Sequence, residues 1–197
     1  MYDTFIFIFT PTCFADAKTN AQTALRFGNE LRLLLGCGCT AQTSAPETVK
    51  YVDLDRYLGT WYEIALYPNR FQKGCVCSSA EYILNSDGTI RVINRCQKDH
   101  PAGSAKSIKG KAFVVPNSGN AKLKVQFFWP FRAPYWIVAL DEDYQWAVVS
   151  GPSRKYLWIL ARERQIDSTT LKTILLQLTD KGFDTNKLSF SSTGCEE

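Results

Sequence analysis

From Tyr51 onward, short runs of β-branched and aromatic residues alternate with turn residues, recurring at roughly 8 to 16 residues. The pattern predicts eight strands, at 59–65, 78–84, 89–95, 108–115, 122–128, 135–140, 145–150 and 156–162. Asn85-Ser86-Asp87-Gly88 is a hairpin signal between the second and third, and Pro116-Asn117-Ser118-Gly119-Asn120 joins the fourth to the fifth. Ile90, Val92 and Asn94 face one way while Arg91 and Arg95 face the other. Leu123, Val125 and Phe127 alternate with Lys122, Lys124 and Gln126 in the same manner. Such strands have one dry and one wet face, as in an antiparallel sheet. Segments 135–140 and 156–162 are apolar on both faces, so something must cover them outside. A helix can supply that cover: Asp167 or Ser168 caps it, Leu171, Ile174, Leu175 and Leu178 recur on one side, and Gly182 stops it. Residues 187–191 add a last short strand. The expected fold is all-β: an eight-stranded antiparallel up-and-down calyx barrel with one C-terminal helix packed outside. Closure removes every strand edge, and eight strands leave an interior for one small ligand.

The first 50 residues differ, and we divide the chain into 1–50, a signal-like segment with a polar tether, and 51–197, the barrel domain. Leu33-Leu34-Leu35-Gly36-Cys37 has the form of a bacterial lipoprotein signal, in which cleavage exposes a cysteine for acylation. Asn29, Glu30 and Arg32 interrupt the apolar run before it. Ala15-Asp16-Ala17 has the A-x-A form of a secretory cleavage site, but Asp3 and no base precedes it. The alternative is a disordered or misassigned N-terminus. Residues 40–48 read as the tether.

Hydrophobic residues make up 45% and charged residues 21% of 197, which excludes wholesale disorder. Aromatics at 13% fit strands or an aromatic-lined cavity. The net charge of +4 comes from 23 bases and 19 acids read as interleaved, without a stripe, so nucleic acid is not expected as a partner. A single histidine, His100, excludes multi-histidine metal sites and weakens any Ser-His-Asp arrangement; no metal or other cofactor is expected. Seven cysteines without a C-x-x-C spacing argue against a zinc ribbon and for an oxidising compartment. A hairpin turning at Asp87 sets Cys96 opposite residue 78, close to Cys75 and Cys77. A Cys75–Cys96 disulfide is the first choice and Cys77–Cys96 the second; Cys195 pairs with the remaining cysteine or stays free, and the fully reduced state is the alternative.

Three ordered blocks then stand out. Leu58-Gly59-Thr60-Trp61-Tyr62-Glu63-Ile64 follows Asp53-Leu54-Asp55-Arg56-Tyr57; Asp143-Tyr144 precedes the seventh strand; Arg162 ends the eighth. They resemble the conserved blocks of the lipocalin family. Asn69-Arg70-Phe71-Gln72, Ile93-Asn94, Phe128-Trp129-Pro130-Phe131 and Val149-Ser150-Gly151-Pro152 resemble the bacterial outer-membrane, apolipoprotein D-like branch. The resemblance implies a non-enzymatic protein that binds, stores or transports fatty acids, lysophospholipids or similar amphiphiles in its barrel. It also implies a lipid anchor on Cys37 at the outer membrane facing the periplasm, or a soluble periplasmic or secreted protein if Cys37 is not acylated. The alternatives are a lipocalin-fold isomerase or de-epoxidase and a soluble pigment or haem carrier.

The residues can be given roles on the same basis. Trp61 plugs the barrel floor, Arg162 lays its guanidinium over the indole, and Gly59 lets the turn approach; all three close the barrel. By strand parity Tyr82, Ile90, Val92, Asn94, Ala112, Val114, Leu123, Val125 and Phe127 point inward as candidate cavity lining. Phe71 and Arg70, on the 66–76 loop at the mouth, are a candidate lid and a candidate contact for an anionic head group. The apolar loop at 128–131 is a candidate lid, homodimer contact or membrane contact. Glu63 shares its face with Trp61, so its carboxyl must be hydrogen-bonded or protonated inside.

Overall fold

The computed structural model describes residues 44–191 and 194–195, and Cys37 lies outside them. A single helical turn, α1 (Leu54–Tyr57), leads into β1 (Gly59–Leu66). Seven strands follow: β2 (Cys75–Leu84), β3 (Ile90–Lys98), β4 (Ala105–Val114), β5 (Lys122–Phe128), β6 (Phe131–Leu140), β7 (Trp146–Ser150) and β8 (Leu157–Ala161). The helix α2 (Ser168–Asp180) and a two-residue strand β9 (Ser189–Phe190) complete the described chain. Each strand pairs antiparallel with its sequence neighbour, and β1 pairs with both β2 and β8, so the eight-stranded barrel closes. The strands run longer than expected at the open end. There residues 96–98 and 105–107 are mostly polar and break the alternation, while the pairing of β3 with β4 continues to Gln97↔Ala105.

Closure is uneven. β1 pairs with β2 only from Gly59↔Tyr82 to Tyr62↔Ser79. A bulge between Glu63 and Ala65 then turns it away, as bulges bend the strand that carries them. β9 takes up the freed edge of β1, with Ala65↔Phe190 and Leu66↔Ser189, and Ser191 N–H donates to Ile64 O at 2.9 Å. Two disulfides staple the same region: Cys75–Cys96 ties β2 to β3, and Cys77–Cys195 ties the C-terminal tail to β2.

The apolar residues fall into two clusters, one on each side of the sheet. The first lies on the inside of the barrel and includes Trp61, Tyr82, Val92, Leu123, Ile137 and Leu160. The second lies outside, where Ile174 and Leu178 of α2 cover Val138, Val148, Leu157 and Ile159. The strands that read as apolar on both faces are thus the ones beneath the helix. Asp167 caps α2, accepting from Thr169 N–H at 3.0 Å and Thr170 N–H at 2.9 Å. Within the expected tether, Arg154 donates to Ser44 O at 3.0 Å, and just after it Val49 and Val52 N–H donate to Ile137 O and Gly119 O.

Candidate ligand-binding barrel

The closed end is built by the three sequence blocks. Asp53 accepts from Asp55 and Arg56 N–H, which fixes the α1 turn. Trp61 is fully buried and donates from Nε1 to Tyr57 O at 2.8 Å. The Arg162 guanidinium lies 3.8 Å from the Trp61 ring centroid. Its nitrogens donate to Thr60 O at 2.8 Å, Arg56 O at 2.6 Å and Tyr144 O at 3.3 Å. Tyr144 returns a contact to the first block, its hydroxyl accepting from Asp53 N–H at 2.8 Å. Gly59 has φ +90°, and a Cβ there would meet Arg162 Nη1 at 3.4 Å, so both backbone and space favour glycine.

Above this floor the walls are apolar. Tyr82, Ile90, Val92, Ala112, Leu123 and Val125 are buried in the interior cluster, with Val114 and Phe127 partly buried against it. The Phe127 ring lies where Gly110 has no side chain: a Cβ on Gly110 would meet Phe127 Cδ1 at 2.7 Å. Asn94 lies between Ala80 and Ile108 in the ladder, and its Oδ1 is buried without a hydrogen-bond partner among the described residues.

Two features were not visible in the sequence. One is a trio of phenols near the floor: Tyr57 Oη and Tyr135 Oη are 2.7 Å apart, and Tyr82 donates to Tyr135 Oη at 2.9 Å. Burial pushes all three pKa values up, Tyr82 to about 12, so the hydroxyls stay neutral. The other is a latch at the mouth. The loop after β1 makes one 3₁₀ turn, Arg70–Gln72, capped by Asn69 Oδ1. Gln72 Nε2 donates to Glu63 Oε2 at 2.6 Å, while Gln72 Oε1 accepts from Trp158 Nε1 at 2.7 Å. Phe71 packs on Tyr156 at 5.5 Å and Tyr156 stacks on Trp158 at 5.9 Å. Arg70 sits 5.5 Å over the Phe71 ring. Glu63 is only 8% exposed, and burial raises its pKa against the lowering effect of the Gln72 hydrogen bond. The 128–131 loop projects at the same end, with Trp129 86% and Phe131 54% exposed.

A barrel with a stacked Trp–Arg floor, apolar walls and a mouth crossed by the Gln72 contacts defines a class of small-ligand container. The chain belongs to the lipocalin family: residues 52–193 match its lipocalin-like domain. It is 42% identical over 151 residues to temperature-induced lipocalin-1 of Arabidopsis thaliana, covering 72% of this chain and 80% of that protein. It is 40% identical over 156 residues to outer membrane lipoprotein Blc of Citrobacter freundii, covering 79% and 88%. Apolipoprotein D of Macaca fascicularis is 35% identical over 169 residues, covering 82% and 84%, which sets the chain in the Blc and apolipoprotein D branch. Among solved structures, insecticyanin from Manduca sexta superposes with a TM-score of 0.62 at 20% identity, covering 77% of this chain and 85% of that one. At that identity the likeness concerns the fold alone.

Proposed function

We propose that the protein is a binding protein that carries a single-chain amphiphile, a fatty acid or lysophospholipid, with its tail inside the barrel. The observation that carries this reading is the lining: from Trp61 upward, the inward positions of β2 to β5 are almost wholly apolar. Such a wall gains free energy from a hydrocarbon chain at about 25 cal/mol per Å² removed from water. The lid built by Phe71, Gln72 and Tyr156 would cover the chain, and Arg70 beside it suits an anionic head. Among the described residues, nothing in the interior supplies a paired acid and base: Glu63 is held by the Gln72 amide, and His100 is exposed in the loop after β3. This favours a carrier over an enzyme.

The site of action in this reading is a membrane face. Cys37 would be acylated after cleavage, and more than one acyl chain makes such attachment stable. The Blc relatives, named as outer membrane lipoproteins, support an outer-membrane location facing the periplasm. Two experiments test the two parts. Organic extraction of the purified protein followed by mass spectrometry should release single-chain lipids; a pigment or no ligand would contradict the first part. Fractionation of cells expressing the full chain, with the membranes washed in high salt to strip charge-held protein, should leave the parent in membranes and Cys37→Ser in the soluble or washed-off fraction; a parent released by salt or a variant that resists the wash would contradict the second.

A further inference from the structure

The barrel interior leaves the charge of the outer wall unexplained. Residues 88–140 hold nine Lys or Arg and one acid, Asp99, while the other 144 residues hold 14 bases and 18 acids. The expectation of interleaved charge is therefore corrected: the mixture holds for the whole chain and fails over β3 to β6. Strand pairing gathers these bases. Arg91 stands opposite Lys111, Lys111 opposite Gln126, and Phe113 opposite Lys124, so the outward side chains of three strands share one face. An open groove of about 500 Å³ crosses it, lined by Asn85, Arg91, Lys109, Lys111, Gln126 and Trp129 among others. Lys111 is shared with Asp87 at 3.1 Å. Arg91, Lys109 and Lys124 are exposed and form no ion pair among the described residues.

The groove runs into the β5–β6 hairpin at the open end. There Phe128, Trp129 and Phe131 are 40%, 86% and 54% exposed, and Arg132 lies 3.9 Å over the Phe113 ring. Cations beside protruding aromatics are the two chemistries of a bilayer interface: bases are drawn to anionic headgroups, and aromatic side chains settle at headgroup level. A single-stranded polynucleotide could also stack a base on Trp129 beside these charges, so it enters the test as the competing outcome; the adjoining Phe128 and Phe131 widen the apolar tip beyond one stacking platform and favour the bilayer.

We propose that this face is a docking surface for an anionic phospholipid bilayer. Headgroup phosphates sit over Arg91, Lys109 and Lys124, the Trp129 hairpin enters the interface, and the barrel mouth is held near the lipid. The contact is non-covalent and independent of both Cys37 and the interior ligand.

The test uses the full chain carrying Cys37→Ser in every arm, so that acylation plays no part. Co-sedimentation is measured with vesicles of phosphatidylglycerol and phosphatidylcholine, and with phosphatidylcholine alone. The protein should partition onto the anionic vesicles and come off with salt. Adding Arg91→Gln, Lys109→Gln and Lys124→Gln together should weaken partitioning by on the order of 100-fold. Trp129→Ser should weaken it by about tenfold. Both variants change exposed side chains, and an unchanged urea midpoint checks that they fold. Equal binding to both vesicle types, or undiminished binding by the folded triple variant, overturns the proposal. So does a single-stranded oligonucleotide that binds more tightly than the anionic vesicles, which would make the face a nucleic-acid site.

Discussion

Arg162 and Trp61 lie 101 positions apart in the chain, yet the guanidinium sits 3.8 Å from the indole centroid. The pair joins the end of β8 to the start of β1, where the barrel must close. Stacking alone would be a modest cation–π contact of about 0.5–2 kcal/mol. The three carbonyls of Arg56, Thr60 and Tyr144 make it more, because without Arg162 they lose their side-chain donor at a partly buried site.

Arg162→Ala should therefore lower stability by about 1–3 kcal/mol. Arg162→Lys should recover little, since one ammonium cannot stack and serve three carbonyls in a planar fork. Urea midpoints with ligand titrations check this. Stability should fall while affinity changes much less, because the pair lies below the lining.

The phenol trio makes a non-additive prediction. Tyr135→Phe leaves the Tyr57 and Tyr82 hydroxyls buried without their partner, costing about 1–3 kcal/mol. Replacing Tyr57, Tyr82 and Tyr135 together by Phe removes all three polar groups and should cost less than the single change. Thermal denaturation of the parent and these two variants decides, and a triple variant less stable than Tyr135→Phe would contradict the account.

The tail disulfide closes a long loop. Cys77–Cys195 spans 118 positions and Cys75–Cys96 spans 21. Chain entropy assigns them about 5 and about 3 kcal/mol respectively, as upper values. Cys195→Ser should cost more than Cys96→Ser. It should also speed proteolysis at β9, which holds β1 by only two residue pairs. Denaturation and limited proteolysis under non-reducing conditions test both statements.

Glu63 gives a pH dependence with a definite sign. Burial raises its folded pKa above the ordinary 4.5, so the folded state holds the proton more tightly than the unfolded one. Its contribution to stability is full below the unfolded value and is lost as pH rises through the folded value. Glu63→Gln should thus gain stability relative to the parent as pH rises from 4.5 towards neutrality. Asp87 acts in the opposite sense. Hydrogen bonds from Thr89, with Lys111 beside it, lower its pKa to about 2, so its contribution is lost only as pH falls towards that value. Paired melting curves across this range separate the two.

Local pattern carried the barrel. Alternation in Ile90–Val92–Asn94 and Leu123–Val125–Phe127 marked the inward faces, and the doubly apolar segments marked where α2 would pack. The floor was legible because its parts sit in recognisable blocks. What stayed hidden depends on distant pieces meeting. Tyr57 and Tyr135 belong to a helical turn and to β6, 78 positions apart. Gln72 reads as a loop amide until the bulge at Glu63 brings a buried carboxyl beneath it. The basic face needed the register, since outward Arg91, Lys109 and Lys124 lie on three different strands.

The central claim is that one hydrocarbon chain lies along the inward faces of β2 to β5. Val92 tests it most directly: it is 2% exposed, pairs across to Tyr82 and Gly110, and faces the interior. The measurement is titration of parent and Val92→Trp with a fluorescent long-chain fatty acid, both proteins first shown to be folded by their urea transitions. The account predicts saturation near one equivalent for the parent and no saturable binding for the variant, whose indole takes the place of the chain. Equal binding by the folded variant would contradict it and put the ligand outside the barrel.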